Sequence, residues 1–141
     1  LPTYALADAL AEKVSHTKLA QLLRKIPYAS LVVINFAFER WHIPKALQAF
    51  GYLVSPEEPD QRILGATFDS TTFPQQPNNN NMTKLTVMME ASEATDQVLK
   101  ERAMAALRDH FGDAKPPAPT MAILTRTHAS IPSYPVGHQK V

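Results

Sequence analysis

The sequence predicts an α+β fold, a mostly antiparallel sheet with helices packed on one face. The prediction rests on the order of its patterns: two short helical segments, a run of four strand-like segments, one long amphipathic helix and a closing strand. Length and composition agree with it, because 141 residues with 45% hydrophobic side chains suffice for one globular core.

Tyr4 to Lys13 and Thr17 to Ile26 read as helices. In the second, Leu19, Leu22, Leu23 and Ile26 fall at i, i+3, i+4 and i+7 and make one apolar stripe. Ser15 and Thr17 are cap candidates, since a hydroxyl accepts from the orphan amides of a first turn. Pro27 stops the helix, and Ser30 to Phe38 follow as a β-branched and aromatic run whose continuous hydrophobicity predicts a central strand buried on both faces. Phe50 to Val54 and Ile63 to Asp69 are further strands. The link Ser55-Pro56-Glu57-Glu58-Pro59-Asp60 has the chemistry of a hairpin loop, so these two strands are expected to pair antiparallel. The polar tract from Gln75 to Asn81 cannot build a core and is expected to be mobile, and Thr83 to Met89 then make a fourth strand.

Glu93 to Phe111 carries every terminal signal of a helix: Ser92 to cap it, Glu93 and Asp96 in its first turn, Arg108 and His110 in its last, and Gly112 just beyond. The row Leu99, Ala103, Leu107 and Phe111, with Ala106 beside it, predicts the face that lies on the sheet. Asp96 and Lys100 have the spacing of an exposed i,i+4 ion pair. Prolines 116, 117 and 119 break regularity before a last strand over Met121 to Thr127.

Composition excludes several function classes. Lys plus Arg number 14 against 13 Asp plus Glu, so the net charge of +1 provides no basic field for nucleic acid. The longest aliphatic stretch, Leu31 to Ile34, is far short of the ~20 apolar residues of a membrane span. No cysteine is present, which removes disulfides, thiolate nucleophiles and cysteine-ligated metals. The four glycines, at 51, 65, 112 and 137, are too scattered to form a nucleotide-binding loop. The chain opens on Leu1 and reads as a segment of something longer.

Few residues suggest chemistry by themselves. The five histidines never adopt a spacing that puts two imidazoles on one metal, so no metal site is expected. Asp69-Ser70-Thr71-Thr72 reads as a turn satisfied by its own side chains, with no sign of a nucleophile's base. Glu57 and Glu58 are solvated charges, and Asn81-Met82-Thr83 matches a glycosylation pattern by accident. Met88 and Met89, with Phe50, Leu53 and Phe68 on neighbouring strands, could wall a large flat ligand. On residue chemistry alone, ordinary core is the preferred reading.

Four stretches together resemble the protoporphyrinogen oxidase family of amine-oxidase-like flavoproteins: Ala29 to Phe38, Phe50 to Val54, Leu64 to Pro74, and Leu85 to Met89. The closing Ile131-Pro132-Ser133-Tyr134-Pro135-Val136-Gly137-His138 resembles the family's Ile-Pro-Gln-Tyr-Thr-Val-Gly-His. The resemblance implies the substrate domain of an FAD-dependent oxidase that converts protoporphyrinogen IX to protoporphyrin IX in haem biosynthesis, with oxygen as the final oxidant. Residues 1–28 are then a helical lead-in from the flavin domain, and 29–141 the substrate-binding sheet. FAD is expected to be bound mainly by parts of the parent protein absent here. No catalytic residue and no particular flavin contact are assigned, although Leu1 to Leu6 resemble the segment leaving the flavin domain.

Substrate-binding roles carry over by the same resemblance. Leu53 takes the place of the aliphatic residue that packs on a pyrrole ring, with Phe50 and Gly51 shaping the adjacent backbone. Met88 matches the position on the opposite side of the tetrapyrrole. Thr67 stands where relatives carry Val or Leu, and Glu90-Ala91 where they carry Gly-Gly. The resemblance also implies a peripheral association with the mitochondrial inner membrane and leaves a homodimer open. Two other readings stand beside it: another amine-oxidase-like flavoprotein with a different apolar substrate, and a non-catalytic α+β interaction module.

Overall fold

A computed structural model describes residues 2–12, 17–57, 63–76 and 81–138. Its elements, in chain order, are helices α1 (Thr3–Ala11) and α2 (Thr17–Arg24), strands β1 (Tyr28–Glu39), β2 (Gly51–Leu53) and β3 (Ile63–Thr67), the single helical turn α3 (Asp69–Thr72), strand β4 (Met82–Glu90), helix α4 (Asp96–Phe111) and strand β5 (Met121–Pro132). The strands form one sheet in the order β2-β3-β4-β1-β5, and the β1–β4, β2–β3 and β3–β4 pairs are antiparallel. The α+β expectation therefore holds.

The chain forms two compact units. One joins Leu1–Ser30 to Thr127–Val141, and the other is Leu31–Arg126. In the first unit, α1 and α2 meet through the fully buried Ala7 and Ala20, side chains small enough to let two helices approach closely. Arg24 Nη2 bonds Asp8 Oδ1 at 2.8 Å. The amide of Thr3 donates to the Tyr28 hydroxyl at 2.8 Å, and the Tyr4 and Tyr28 rings meet edge to face. The predicted stripe on α2 is not what it buries: Leu19 is exposed, Leu22, Leu23 and Ile26 are only half-buried, and the helix ends at Arg24.

The second unit holds the core. β4 alternates strictly between buried and half-buried residues, so Thr83, Leu85, Val87 and Met89 face inward beside Val32, Ile34, Phe36 and Phe38 of β1. Leu99, Ala103, Ala106, Leu107 and Phe111 of α4 complete the cluster, which is the predicted helix face. β1 departs from its prediction. Val33 is half-buried and Asn35 exposed, because α4 covers one side of the sheet and buries the large apolar side chains of β1 there; on the other side of β1 only Ala37 is buried. An aromatic series, each ring in contact with the next, runs from Phe36 through Phe38, Trp41, Phe111 and Phe68 to Tyr52. Trp41 Nε1 donates to the Ala114 carbonyl at 3.0 Å, tying β1's exit to the end of α4.

Two details at α4 differ from expectation. Thr95, not Ser92, is the N-cap: its hydroxyl accepts from the amide of Val98, and the helix starts at Asp96. Ser92 instead accepts from Ala94 in the approach to the helix. Asp96 pairs with Arg126 of β5 rather than with Lys100, because a rigid strand brings a guanidinium within reach of both Asp96 and the Ala94 carbonyl. Ser15, Glu58 and the residues 77–80 of the polar tract lie outside the described residues.

Replacing Thr95 by Ala should lower the unfolding free energy of the full-length protein by about 1 kcal/mol, the usual worth of an N-cap. Denaturant titration of Thr95→Ala beside Ser92→Ala checks the assignment, with the larger loss expected at Thr95.

Candidate functional site

In an antiparallel ladder, residues directly opposite one another point to the same side. The registers therefore define two rows on the sheet face away from α4. The first is Leu53, Gly65, Met88 and Val33; the second is Gly51, Thr67, Thr86 and Asn35. Leu53, Thr67, Met88 and Gly51 thus share one face of one sheet. Phe50 lies one residue before β2, 69% exposed, with its carbonyl accepting from the Phe68 amide at 2.9 Å.

The first row brings Leu53 and Met88 to one face of the sheet. Leu53 and Met88 stand two strand spacings apart, about 9.5 Å, with Gly65 as the floor between them. Leu53 is 84% exposed, and its Cδ2 leans in to 3.2 Å from where a Cβ on Gly65 would sit. A β-bulge between Ile63 and Gly65 turns Leu64 outward and lets Ile63 and Gly65 face opposite sides on adjacent β4 partners. Both strand glycines are sterically required. A Cβ at Gly51 would overlap the Ala66 carbonyl oxygen, and one at Gly65 would overlap the carbonyl oxygen of Tyr52.

The second row is polar and hydrogen-bonded. Thr67 Oγ1 donates to Asp69 Oδ1 at 2.9 Å, and Thr86 Oγ1 lies 2.6 Å from Asp69 Oδ2 and 2.8 Å from Asn35 Oδ1. A hydroxyl has one proton, so Thr86 serves one of these two at a time, and the carboxylate is the stronger acceptor. Asn35, Thr86 and the role of Asp69 are invisible to motif reading, since they meet only through strand pairing. The signal in the sequence was the placement of Asn35 and Thr86 in otherwise apolar strands. The turn expected at Asp69 to Thr72 is a single helical turn. Its Ser70 hydroxyl accepts from the amide of Lys84 at 2.9 Å and lies 3.3 Å from the Met82 carbonyl oxygen.

Behind this face, Tyr52 points to the core side. Its hydroxyl lies 2.8 Å from His110 Nδ1, and the two rings meet edge to face. Burial drives the Tyr52 phenol far above its ordinary pKa of 10.0, so it keeps its proton at neutral pH. A cavity of about 300 Å³ adjoins this pair, bounded by Leu47, Gly51, Phe68 and Phe111. The bond fixes β2 from beneath and so fixes Leu53 above.

No group of three His, Asp or Glu among the described residues could hold a metal ion. Gly51 and Gly65 are inside strands and Gly112 ends α4, so the described residues form no phosphate-binding loop. They do not fit the pyrophosphate of a dinucleotide.

The profile described as "Flavin containing amine oxidoreductase" matches residues 1–140. The chain belongs to the flavin-containing amine oxidoreductase family. Among the proteins this family member resembles, protoporphyrinogen oxidase of Bos taurus is 33% identical over 132 residues, covering 86% of this chain and 27% of that protein. The Homo sapiens protoporphyrinogen oxidase is 30% identical, with 98% and 30% covered. A shorter match to the Dictyostelium discoideum protoporphyrinogen oxidase reaches 43% over 70 residues, covering 48% of this chain and 13% of that one. The chain thus spans less than a third of the length of the curated relatives it matches. Among solved structures, reduced UDP-galactopyranose mutase superposes with a TM-score of 0.69 at 14% identity, over 99% of this chain and 30% of that one. A protein of Exiguobacterium sp. 255-15, assigned provisionally to the protoporphyrinogen oxidases, gives 0.66 at 18% identity with the same coverage. These superpositions establish the amine-oxidase-like fold of the segment. The activities that share the fold are diverse.

Tyr52→Phe should cost the full-length protein about 1 kcal/mol at neutral pH through loss of the His110 bond. The folded-state pKa of Tyr52 is raised, so the stability it contributes is full below the unfolded value of about 10 and is lost as pH rises further. Denaturant titrations at pH 8 and at pH 11 should therefore show the gap between parent and Tyr52→Phe closing at the higher pH.

Proposed function

We propose that this chain supplies the porphyrinogen-binding wall of an FAD-dependent protoporphyrinogen oxidase, which converts protoporphyrinogen IX to protoporphyrin IX in haem biosynthesis. FAD is the hydride acceptor and oxygen the final oxidant. The observation that carries the reading is the register that puts Leu53 and Met88 on one face of the sheet with Gly65 between them. Relatives named protoporphyrinogen oxidase, in species as distant as cattle and a slime mould, supply the substrate class.

A tetrapyrrole is a thin, mostly apolar disc. Standing edge-on over Gly65, it would have Leu53 against one surface and the Met88 thioether against the other, contacts of the kind that aliphatic groups and sulfur make with π systems. Gly51 keeps β2 close to β3 and sets the reach of Leu53, Phe50 caps the approach to that strand, and Thr67 continues the floor beyond Gly65. Such a wall contributes by positioning: it holds one carbon of the ring at a fixed height and angle, and it offers no acid or base to the reaction. The chemistry of oxidation belongs to the flavin when bound. With no dinucleotide loop among the described residues, FAD is held mainly by polypeptide outside this chain.

The eukaryotic relatives favour a mitochondrial setting, at the inner membrane. No described helix is long and apolar enough to cross a membrane, so attachment through this segment would be peripheral. A homodimer and the division into a lead-in of 1–28 and a sheet domain of 29–141 belong to the same reading. A second reading, a flavin amine oxidoreductase acting on another apolar substrate, draws on Thr67, whose hydroxyl adds polarity to the floor.

The full-length protein should purify yellow and generate porphyrin fluorescence from protoporphyrinogen IX in air. A flavin-loaded protein that yields no porphyrin would favour the second reading, and a colourless protein would exclude both. Leu53→Ala and Met88→Ala should each raise KM by roughly 4- to 15-fold, the equivalent of one or two buried methylenes.

A further inference from the structure

We propose that a groove where the exit of β1 meets the end of α4 binds a phosphate group through Arg40, Arg108 and Lys115. The groove measures about 600 Å³ and is lined by Arg40, Trp41, Arg108, Lys115, Pro116 and Pro117. Half of that lining is cationic, and none of it is acidic. The three cations are exposed, and no ion pair or side-chain hydrogen bond engages any of them. The groove shares no residue with the Leu53–Met88 row, so the inference is independent of the function proposed above.

The backbone holds these side chains in place. Trp41 Nε1 donates to the Ala114 carbonyl at 3.0 Å, and the residues next to those two partners in the chain are Arg40 and Lys115. A single hydrogen bond therefore brings together two cations from distant parts of the sequence. Its frame is stiff: the Trp41 ring meets Phe38 and Phe111 edge to face, Pro116 is buried, and the Lys115 amide donates to the Gly112 carbonyl at 3.1 Å. Arg40 leaves β1 with φ 54°, in the left-handed region that residues other than glycine seldom adopt, and its amide donates to the Asn81 carbonyl at 3.1 Å. That turn ends the strand and puts Arg40 on the lining of the groove.

Charge is concentrated here. The whole chain carries a formal +1, whereas Arg40, Arg108 and Lys115 together put +3 around one concavity. Like charges held close repel one another, and a bound anion removes that repulsion. Arg108 has a helical reason for its place, since a cation in the last turn of α4 complements the dipole. Arg40 and Lys115 have none. The helix end itself offers little resistance to an anion, because the Gly112 amide caps the carbonyls of Arg108 and Asp109. A phosphate monoester matches the donors: it brings nearly two charges and three oxygens to two guanidinium forks and one ammonium. A carboxylate brings one charge and two oxygens, and would leave a cation unmatched.

The test measures calorimetric binding of glycerol 3-phosphate, of dihexanoyl phosphatidic acid and of succinate, at constant ionic strength, to the full-length protein and to its Arg40→Gln, Lys115→Gln and Arg102→Gln variants. Glycerol 3-phosphate should bind saturably, and succinate, a dianion without phosphate, about tenfold more weakly. Arg40→Gln and Lys115→Gln should each weaken the phosphate probes roughly 3- to 10-fold, the scale of one partly solvated charge contact. Arg102→Gln removes an exposed cation of α4 outside the groove and should leave them within about twofold. Tighter binding of the lipid than of glycerol 3-phosphate, lost in the same two variants, would identify the phosphate as a lipid headgroup; equal binding would identify a free phosphorylated compound. Absence of saturable binding by either phosphate probe, equal affinity for succinate, or losses no larger at Arg40 and Lys115 than at Arg102 would overturn the inference.

Discussion

Burial of Val32, Ile34, Phe36 and Phe38 against α4 decides which side of the sheet every other residue occupies. A strand has a period of two, so once these four side chains point inward, Val33, Asn35 and Ala37 must point outward, and their partners on β4 follow. Met88 reaches the outer face because Val87 and Met89 are needed in the core. A slip of one residue anywhere in β4 would bury Lys84 and expose Leu85. The core therefore does more than stabilise the unit: it aims the Leu53–Met88 row and the hydroxyl row in one direction.

Much of the fold is legible in the sequence, and the reason is periodicity. The face of α4 could be read from Leu99, Ala103, Leu107 and Phe111 because a long helix repeats its signal several times. The misreadings occur where the signal is short. Leu19, Leu22, Leu23 and Ile26 form a good stripe, yet α2 is eight residues long and packs through Ala20, so intrinsic pattern lost to the close approach of α1. In sequence the cap of α4 reads as Ser92, whereas the backbone turns into the helix three residues later, at Thr95.

Site geometry is a different matter. Leu53 and Met88 were named by resemblance, and nothing in their spacing of thirty-five positions reveals that one glycine lies between them. That fact is a property of strand order and of a bulge. Asp69, Thr67, Thr86 and Asn35 likewise come from three different segments, and their hydrogen bonds exist because β3 and β1 flank β4. Residue type could suggest that a hydroxyl or amide in an apolar strand has some partner. It could not say which one.

Leu53 and Met88, the two jaws on either side of Gly65, are unlike in stiffness. Met88 sits on a strand hydrogen-bonded on both sides, whereas Leu53 belongs to a three-residue strand at the margin of the sheet, held by β3 alone and propped from below by Tyr52. Load applied between them is taken up by the outer jaw, as in a vice with one fixed and one sprung plate. Ligands of slightly different girth can then seat against the same Met88 reference surface, and substitutions that alter tolerance for bulk will concentrate along the sprung side.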